Sequence, residues 1–537
     1  MANERIYILY IRYKMKRILL CLIATASIML HASAQNDMNE QMQKLIISAV
    51  SIDRHYVDSV DTKEMVENAI RGMLEKLDPH SSYSTPKQTK QLNEPLMGSF
   101  DGIGIQFNIL EDTLIVIQTI TDGPSEKAGV IAGDRIVSVN DTIIAGRKVP
   151  QETIISKLRG PRGSVVKLGL MRYGIDELIY MNVTRDKIPL KSVDAALMIT
   201  PHTGIIRFSN FAVTTHDELV EAITKLKSQG MRNLIIDLTQ NGGGFLQAAA
   251  EIASEFLPKD DLIVYTQGRA YPSQTFRSLG GNAFQDGKLI ILIDEYSASA
   301  AEILAGAVQD QDRGLVVGRR SFGKGLVQRP IDLPDGSMIR LTISKYYTPS
   351  GRCIQKPYEK GDGKGYRMDV INRFNHGELT NADSIHFPDS LKYYTLRKGR
   401  TVYGGGGIMP DNFVPLDTTK FTPLYRQIMA RRILLNENIR YLTANRTKLL
   451  EKYSDFVKFR RDFRVPKSLV ESILTEARKV LGKDYPKDEE KKTDTLIRHM
   501  LTALIARDLW GMDEYFAIIY EEDDIVNKAV EIMERFD

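Results

Sequence analysis

Leu289-Ile-Ile-Leu-Ile-Asp-Glu-Tyr-Ser-Ala-Ser-Ala-Ala-Glu-Ile-Leu-Ala-Gly-Ala-Val-Gln-Asp310 is the stretch on which the fold turns. It predicts a buried strand over Leu289 to Asp294 that runs straight into a helix over Ala300 to Gln309, with Ser297 and Ser299 at the junction. A serine there has its hydroxyl exposed at a strand end. The amide of the following residue points toward the same space, at the positive end of the helix dipole. Alanines 298, 300 and 301 leave room for a backbone to approach. Serine is also a common helix N-cap, so this fragment by itself does not make a nucleophile.

A nucleophile needs a base. None of the eight histidines accompanies a glycine-rich or strand-end motif nearby, so a Ser-His-Asp arrangement has no obvious base. Downstream, Val317-Gly-Arg-Arg-Ser-Phe-Gly-Lys-Gly-Leu-Val-Gln328 places Lys324 between two glycines in a mainly apolar, strand-like context. An ammonium buried there loses its proton easily, and the neutral amine can take a proton from a serine hydroxyl. A lysine between glycines is more often a solvated turn residue. Upstream, Leu234-Ile-Ile-Asp-Leu-Thr-Gln-Asn-Gly-Gly-Gly-Phe245 is a second strand followed by a glycine loop. Glycines 242 to 244 expose N–H groups without obstruction, as an oxyanion hole requires, with Ala300 supplying a further amide. A phosphate cradle would end in Gly-Lys-Ser/Thr, which is absent. Glu302 and Asp310 read as capping or packing acids, and Arg319 and Arg320 either as holders of a substrate carboxylate or as a solvated pair.

Around this centre the chain changes texture. From Gly204 to Gly318 buried strands alternate with helical segments, the pattern of an α/β layer fold. Residues 98–184 are short β-type runs divided by Gly, Pro and Asp turns, a small β-rich module. Met38 to Tyr56 and Asp61 to Leu77 carry apolar residues at helical spacing. A polar stretch of about 355–401 reads as a surface insertion, and residues 417–537 as a charged helical region with a packing or assembly role.

The first 34 residues stand apart. Arg12, Lys14, Lys16 and Arg17 precede an apolar run, Ile18 to Leu30, that closes on Ala32-Ser33-Ala34, the pattern of a cleaved secretory signal. The run of about thirteen residues is short of the roughly twenty that span a bilayer. Removing residues 1–34 takes the formal net charge from +4 to zero and leaves Cys353 as the sole cysteine. The mature chain then has no charge-based case for nucleic acid, no internal disulfide, and no Cys/His zinc pattern. At 43% apolar and 26% charged, it has the composition of a multidomain globular protein.

Taken together, the Asn-Gly-Gly-Gly loop, Ser-Ala-Ser-Ala-Ala-Glu, Gln-Asp-Gln-Asp-Arg, Ser-Phe-Gly-Lys-Gly-Leu-Val-Gln and Tyr-Tyr-Thr-Pro-Ser-Gly-Arg resemble, in order and spacing, the signature segments of the carboxy-terminal processing (tail-specific) proteases. Gly98-Ser-Phe-Asp-Gly-Ile-Gly-Ile-Gln106 with Gly123 to Asn140 resembles a bacterial-type PDZ domain. The resemblance runs from Tyr56-Val57 and Leu77-Asp-Pro-His-Ser-Ser82 through Gly407-Ile-Met-Pro-Asp411. It implies an α/β protease core of layered β-α units, crotonase- or ClpP-like, over residues 185–416, with an inserted PDZ domain (96–184) and flanking helical segments (35–95 and 417–537). It also implies Ser299 as nucleophile, Lys324, 25 positions on, as base, Gln328 as the residue orienting that lysine, and the amides of Gly243 and Ala300 as oxyanion hole. Ser297 is implied to be structural. Gly102, Ile103, Gly104 and Ile105 would receive the carboxylate of a substrate tail. The family loop usually reads Asn-Pro-Gly-Gly, so Gly242 is a departure.

The chain is therefore expected to be an exported, cofactor-free and metal-free serine endopeptidase of the periplasm or cell envelope, acting on proteins with exposed C-termini. A homodimer and peripheral membrane association stay open. Two rivals are a noncatalytic PDZ scaffold or chaperone of the envelope, and an acyl-CoA enzyme of crotonase-like architecture, against which the PDZ motif and signal segment both speak.

Overall fold

The computed structural model describes residues 37–482 and 484–535; the signal segment read over residues 1–34 lies outside them. Leu289–Ile293 is buried at every position because it lies inside a six-stranded sheet. Its order is Val193–Met198, Thr203–Phe208, Asn233–Asp237, Leu289–Ile293, Leu315–Gly318, Asn412–Phe413. The first pair is antiparallel and the rest are parallel. Successive side chains of a strand point to opposite faces, so a continuous apolar run requires cover on both. Leu289, Ile291 and Ile293 pack among the helices Thr215–Ser228, Leu246–Ser254 and Ala300–Asp310. Ile290 and Leu292 pack on the other face against Ile525, Val526, Ala529, Ile532 and Met533 of the helix Asp524–Arg535. Burying each larger aliphatic is worth about 1.5–3 kcal/mol, so the end of the chain is structurally part of the core it covers.

A five-stranded sheet adjoins this core. In it Met338–Tyr347 pairs with Ser82–Ser84 and with Leu326–Asp332, which joins the segment before residue 98 to the strand that comes after Lys324. Residues 355–401, expected at the surface, are only partly so. The helix Gly363–Asn375 buries Tyr366 and Arg373, and Arg373 donates to the carbonyls of Arg320 and Ser321 at 2.7 and 3.1 Å.

The β-rich module leaves and re-enters the core through paired stems, Ser99–Gly102 against Asp186–Pro189. Its strands run Ile105–Leu110, Thr113–Thr119, Arg135–Val139, Val165–Met171, Ile179–Thr184 in sheet order, around its own core with the helix Gln151–Leu158. Odd positions of the first strand face that core. Leu110, with Ile115 and Ile117, packs outward against Leu435 and Ile439 of the helix Ile433–Lys452. Arg440 pairs with Glu111 at 2.9 Å beside this contact. The helices between Pro423 and Leu509 form a separate apolar cluster, and a cavity of about 220 Å³ lies between them and the β-rich module. The two N-terminal helices, residues 37–55 and Thr62–Glu75, leave Met42, Leu45, Ile46, Val50 and Met73 exposed. Among the described residues no helix is long and apolar enough to cross a membrane.

Candidate active site

The strand ends of Asn233–Asp237 and Leu289–Ile293 open side by side, and hydrogen bonds tie them together there. Asp294 accepts from the amides of Gln240, Tyr296 and Ser297 at 3.0–3.1 Å. Ser297 Oγ donates to Leu238 O at 2.8 Å and accepts from Asp294 N at 2.9 Å. Its hydroxyl is thereby used within the turn. Ser299, two residues on, has φ 57° and ψ −113°. A non-glycine residue held there costs on the order of 1–3 kcal/mol, a strain typical of a nucleophile at a sharp strand-to-helix turn.

Gly243 lies against this turn. A Cβ built on it would fall 2.7 Å from Ala298 O, 2.8 Å from Ser299 Cβ and 2.9 Å from Ala300 N, at φ +97°. Only glycine fits. The loop is anchored by Asn241, which donates to Phe208 O at 2.7 Å and accepts from Gly243 N at 2.8 Å, while Ala298 N donates to Asn241 O at 2.9 Å. Of the two amides expected to bind an oxyanion, that of Gly243 is thus already engaged by Asn241. That of Ala300, at the first position of its helix, has no intrahelical acceptor. At Gly242 a Cβ would meet nothing within 4 Å, so the missing proline is not replaced by any packing; Asn241 holds the loop instead.

Glu302 is fully buried, 0% exposed. One carboxylate oxygen accepts from Ser299 N at 2.8 Å and Lys324 N at 2.9 Å; the other accepts from Gly323 N at 2.7 Å and Ser321 Oγ at 2.5 Å. Two amides sharing one acceptor oxygen at these distances have nitrogens under about 6 Å apart. One side chain therefore sets the spacing of the two backbones on which Ser299 and Lys324 ride. Burial pushes its own pKa up, opposed by these hydrogen bonds. The sequence reading of Glu302 as a cap is correct but incomplete: an acid three residues after an N-cap serine signals the capping box, and nothing local signals the second loop.

Lys324 is half-buried. Burial, and secondarily Arg340, lower its pKa to about 8, while Glu302 and Asp78 pull the other way. Its Nζ has no hydrogen-bond or ion-pair partner among the described residues. With that pKa roughly a tenth of the lysine is neutral at pH 7 and half at pH 8. Gln328, expected to orient the lysine, makes no such hydrogen bond; its Nε2 is buried without a partner, on a strand position paired with Thr342.

Asp78 and His80 lie within range of the lysine's charge. Asp78 accepts from His80 N, Ser81 N and Thr342 Oγ1 at 2.8, 2.9 and 3.0 Å, and the His80 ring meets Tyr366 OH at 2.8 Å. The sequence shows Asp78-Pro79-His80 only as a helix stop; its place beside Lys324 comes from the pairing of Ser82–Ser84 with Met338–Arg340. Asp310 and Arg352, both 0% exposed, pair at 2.7 Å, with Thr348 and Ser350 closing on the same carboxylate, a structural role as expected. Arg319 is bound to Glu295 at 2.7 Å and Arg320 to Glu378, so neither is free for a substrate carboxylate.

In the β-rich module, Ile103 O and Gly104 O accept from Ser125 N and Ile120 N at 3.0 Å, and Gly104 has φ +72°. These bonds fix the Gly102–Ile105 loop at the head of Ile105–Leu110, a strand with one neighbour and hence one open edge. Ile154 and Leu158 of the adjacent helix share its apolar cluster. An extended peptide could add to that edge with its carboxylate at the loop.

Residues 202–362 match peptidase family S41 and residues 102–183 a PDZ domain. Residues 9–88 match the N-terminal domain of the activating protease CtpB, and residues 424–511 a family of unknown function. A carboxy-terminal-processing protease of Bartonella bacilliformis is 36% identical over 321 residues, 59% of this chain and 71% of the relative. The carboxy-terminal processing protease CtpB of Bacillus subtilis is 33% identical over 389 residues, 70% of this chain and 80% of the relative. Among solved structures, a photosystem II D1 C-terminal processing protease aligns over 70% of this chain and 93% of its own at 24% identity, with a TM-score of 0.34.

Proposed function

Because the chain belongs to the carboxy-terminal processing protease family, a family of peptidases here joined to a PDZ domain, we propose that it is a serine endopeptidase working through Ser299 and Lys324. Ser299 Oγ bonds to the scissile carbonyl carbon while its proton passes to neutral Lys324 Nζ; the carbonyl oxygen, now negative, is received by the Ala300 amide. Gly243 N–H joins it when the Asn241 contact yields. Lys324 then gives its proton to the departing amine as the C–N bond breaks, leaving an acyl-enzyme. Water attacks the ester, losing a proton to Lys324, which returns it to Ser299 Oγ. Gln328, whose side-chain amide makes no hydrogen bond among the described residues, is available to accept from Lys324 Nζ through its Oε1 during these transfers.

The observation that carries this reading is the bridging of Ser299 N and Lys324 N by one oxygen of Glu302. It couples two loops distant in sequence at the point where the chemistry needs them together. A depressed lysine pKa of about 8 supports the base role. Substrate tails are selected by the open edge of Ile105–Leu110 and the Gly102–Ile105 loop, and the enzyme acts after export, with residues 1–34 removed. The uncovered apolar faces of the N-terminal helices support contact with a second copy.

The test is cleavage of an unstructured protein with an apolar C-terminus by the mature chain, beside Ser299→Ala and Lys324→Ala. Activity in the parent and loss in both variants is the expected result. Activity surviving in either variant refutes the dyad, and tail binding with no cleavage in any form points to the scaffold alternative.

A further inference from the structure

The main chain around Lys324 is gripped from both sides. Glu302 holds Gly323 N and Lys324 N. On the far side Gly325 N donates to Gln355 Oε1 at 2.9 Å. That leaves the Gln355 Nε2 hydrogens for Lys356 O at 2.8 Å and Tyr366 OH at 3.2 Å. A phenol has one hydrogen to give. Tyr366 OH accepts from Gln355 and keeps its own hydrogen, and His80 Nε2, 2.8 Å away, is placed to accept it. In that arrangement the His80 nitrogen facing Tyr366 is a lone pair, and the neutral imidazole carries its proton on Nδ1.

The surroundings suit this arrangement. Tyr366 is 7% exposed, and its ring meets His80 and Phe322 edge to face at 5.0 and 5.8 Å. Lys356 Nζ sits 4.1 Å from the Tyr366 ring centre and 2.8 Å from Asp369. Burial, then the charge of Lys324, hold His80 down to about 4, so the imidazole stays an acceptor at working pH. Tyr366 comes from the helix Gly363–Asn375, inside the stretch that reads in sequence as a surface insertion.

We propose that Tyr366 and His80 are positioning residues for Lys324: they fix the Gln355 amide that holds Gly325, so the inserted helix and the Asp78–Ser81 turn set the place of the base. The inference rests on the Ser299–Lys324 reading. The charged or titratable groups that face Lys324 are Glu302 on the helix Ala300–Asp310, Arg340 on the neighbouring strand, and Asp78 and His80 on the turn. Releasing Gln355 lets the Gly323–Gly325 loop shift toward solvent, which weakens the desolvation that lowers the lysine pKa.

The experiment is the pH dependence of cleavage by Tyr366→Phe, His80→Phe and the double variant, with Lys324→Ala as control. Each single variant is expected to lose about tenfold in kcat at unchanged KM, because the base is displaced and not the substrate. The acid limb of kcat/KM should move to higher pH, and the double variant should be no worse than either single one, as for members of one chain of contacts. A merely structural role would lower the melting temperature and leave the limb in place. Profiles that superimpose on the parent's, with Lys324→Ala inactive, overturn the inference alone; an active Lys324→Ala removes the reading beneath it. Independently of the variants, nitrogen-15 NMR of the Ser299→Ala protein should find His80 protonated on Nδ1, and a proton on Nε2 would contradict the network.

Discussion

Replacing Glu302 with glutamine removes a charge while nearly preserving shape, so its effects on hydrogen bonding and on electrostatics can be worked out separately. Four donors converge on this carboxylate: three main-chain amides and the Ser321 hydroxyl. Glutamine offers one acceptor oxygen. The better orientation keeps that oxygen on Ser299 N and Lys324 N and turns the new NH2 toward Ser321, whose hydroxyl can rotate to accept. Gly323 N–H is then buried without an acceptor, at about 1–3 kcal/mol, which lowers stability without unfolding a domain of ordinary stability. The electrostatic effect has a definite sign. Glu302 raises the Lys324 pKa from what burial alone would give; without its charge the lysine titrates below about 8. As the proposed base, Lys324 works when neutral, so activity is expected to rise with pH through that pKa, and lowering the pKa moves the acid limb to lower pH. The assay is kcat/KM against pH for Glu302→Gln and the parent, with melting temperatures alongside. Maximal activity should fall about tenfold, as the amide–NH2 conflict disturbs the spacing of the two loops, while the limb shifts downward. An unmoved limb would mean that Glu302 carries no charge in the working enzyme, and an upward shift would refute the electrostatic account altogether.

Two further tests address the glycine loop beside Ser299 and the helical region. Gly243→Ala places a Cβ under 3 Å from Ala298 O, Ser299 Cβ and Ala300 N; turnover should drop by about 10²-fold or more, as for a misplaced reacting group, with tail binding intact by calorimetry, and near-parental turnover would show that the turn can yield. Ile439→Asp buries an unpaired carboxylate against Leu110 and Ile115; hydrogen exchange should speed up along Thr113–Thr119 while the Ile433–Lys452 helix stays protected by its own cluster, and unchanged exchange would show that this contact does not hold the PDZ domain.

The order of segments and the strand-turn-helix frame that carries Ser299 were legible from the chain alone, because each is a local pattern. An apolar run that stops at Asp294, a small-residue helix behind it, and a glycine triplet after a second run are statements about neighbours in sequence, and strand-loop-helix geometry follows from them. The strain at Ser299 and the need for glycine at Gly243 agree with those patterns. Glu302 was visible only as a cap, since three of its four donors come from a loop about twenty residues on. The Arg319–Arg320 pair looked solvated or substrate-binding because Glu295 and Glu378 approach them only once the sheet and the insertion are in place.

Tertiary structure alone decided the rest. Continuous apolar strands require two covered faces, but not which segment covers the second; here it is the last helix, Asp524–Arg535, over two hundred residues beyond Leu292. The polar composition of residues 355–401 averages over a helix whose exposed side mixes Lys364 and Arg367 with Met368, Ile371 and Phe374, and whose inner side holds Tyr366 and Arg373 against residues 320–322. The setting of Lys324 is the plainest case. Its identity and its position after Ser299 are written in the chain, whereas its pKa depends on how much water burial removes and on charges from Glu302, Arg340, Asp78 and His80. Those groups lie up to about 250 positions away in sequence, and only strand pairing and packing bring them within range of its charge.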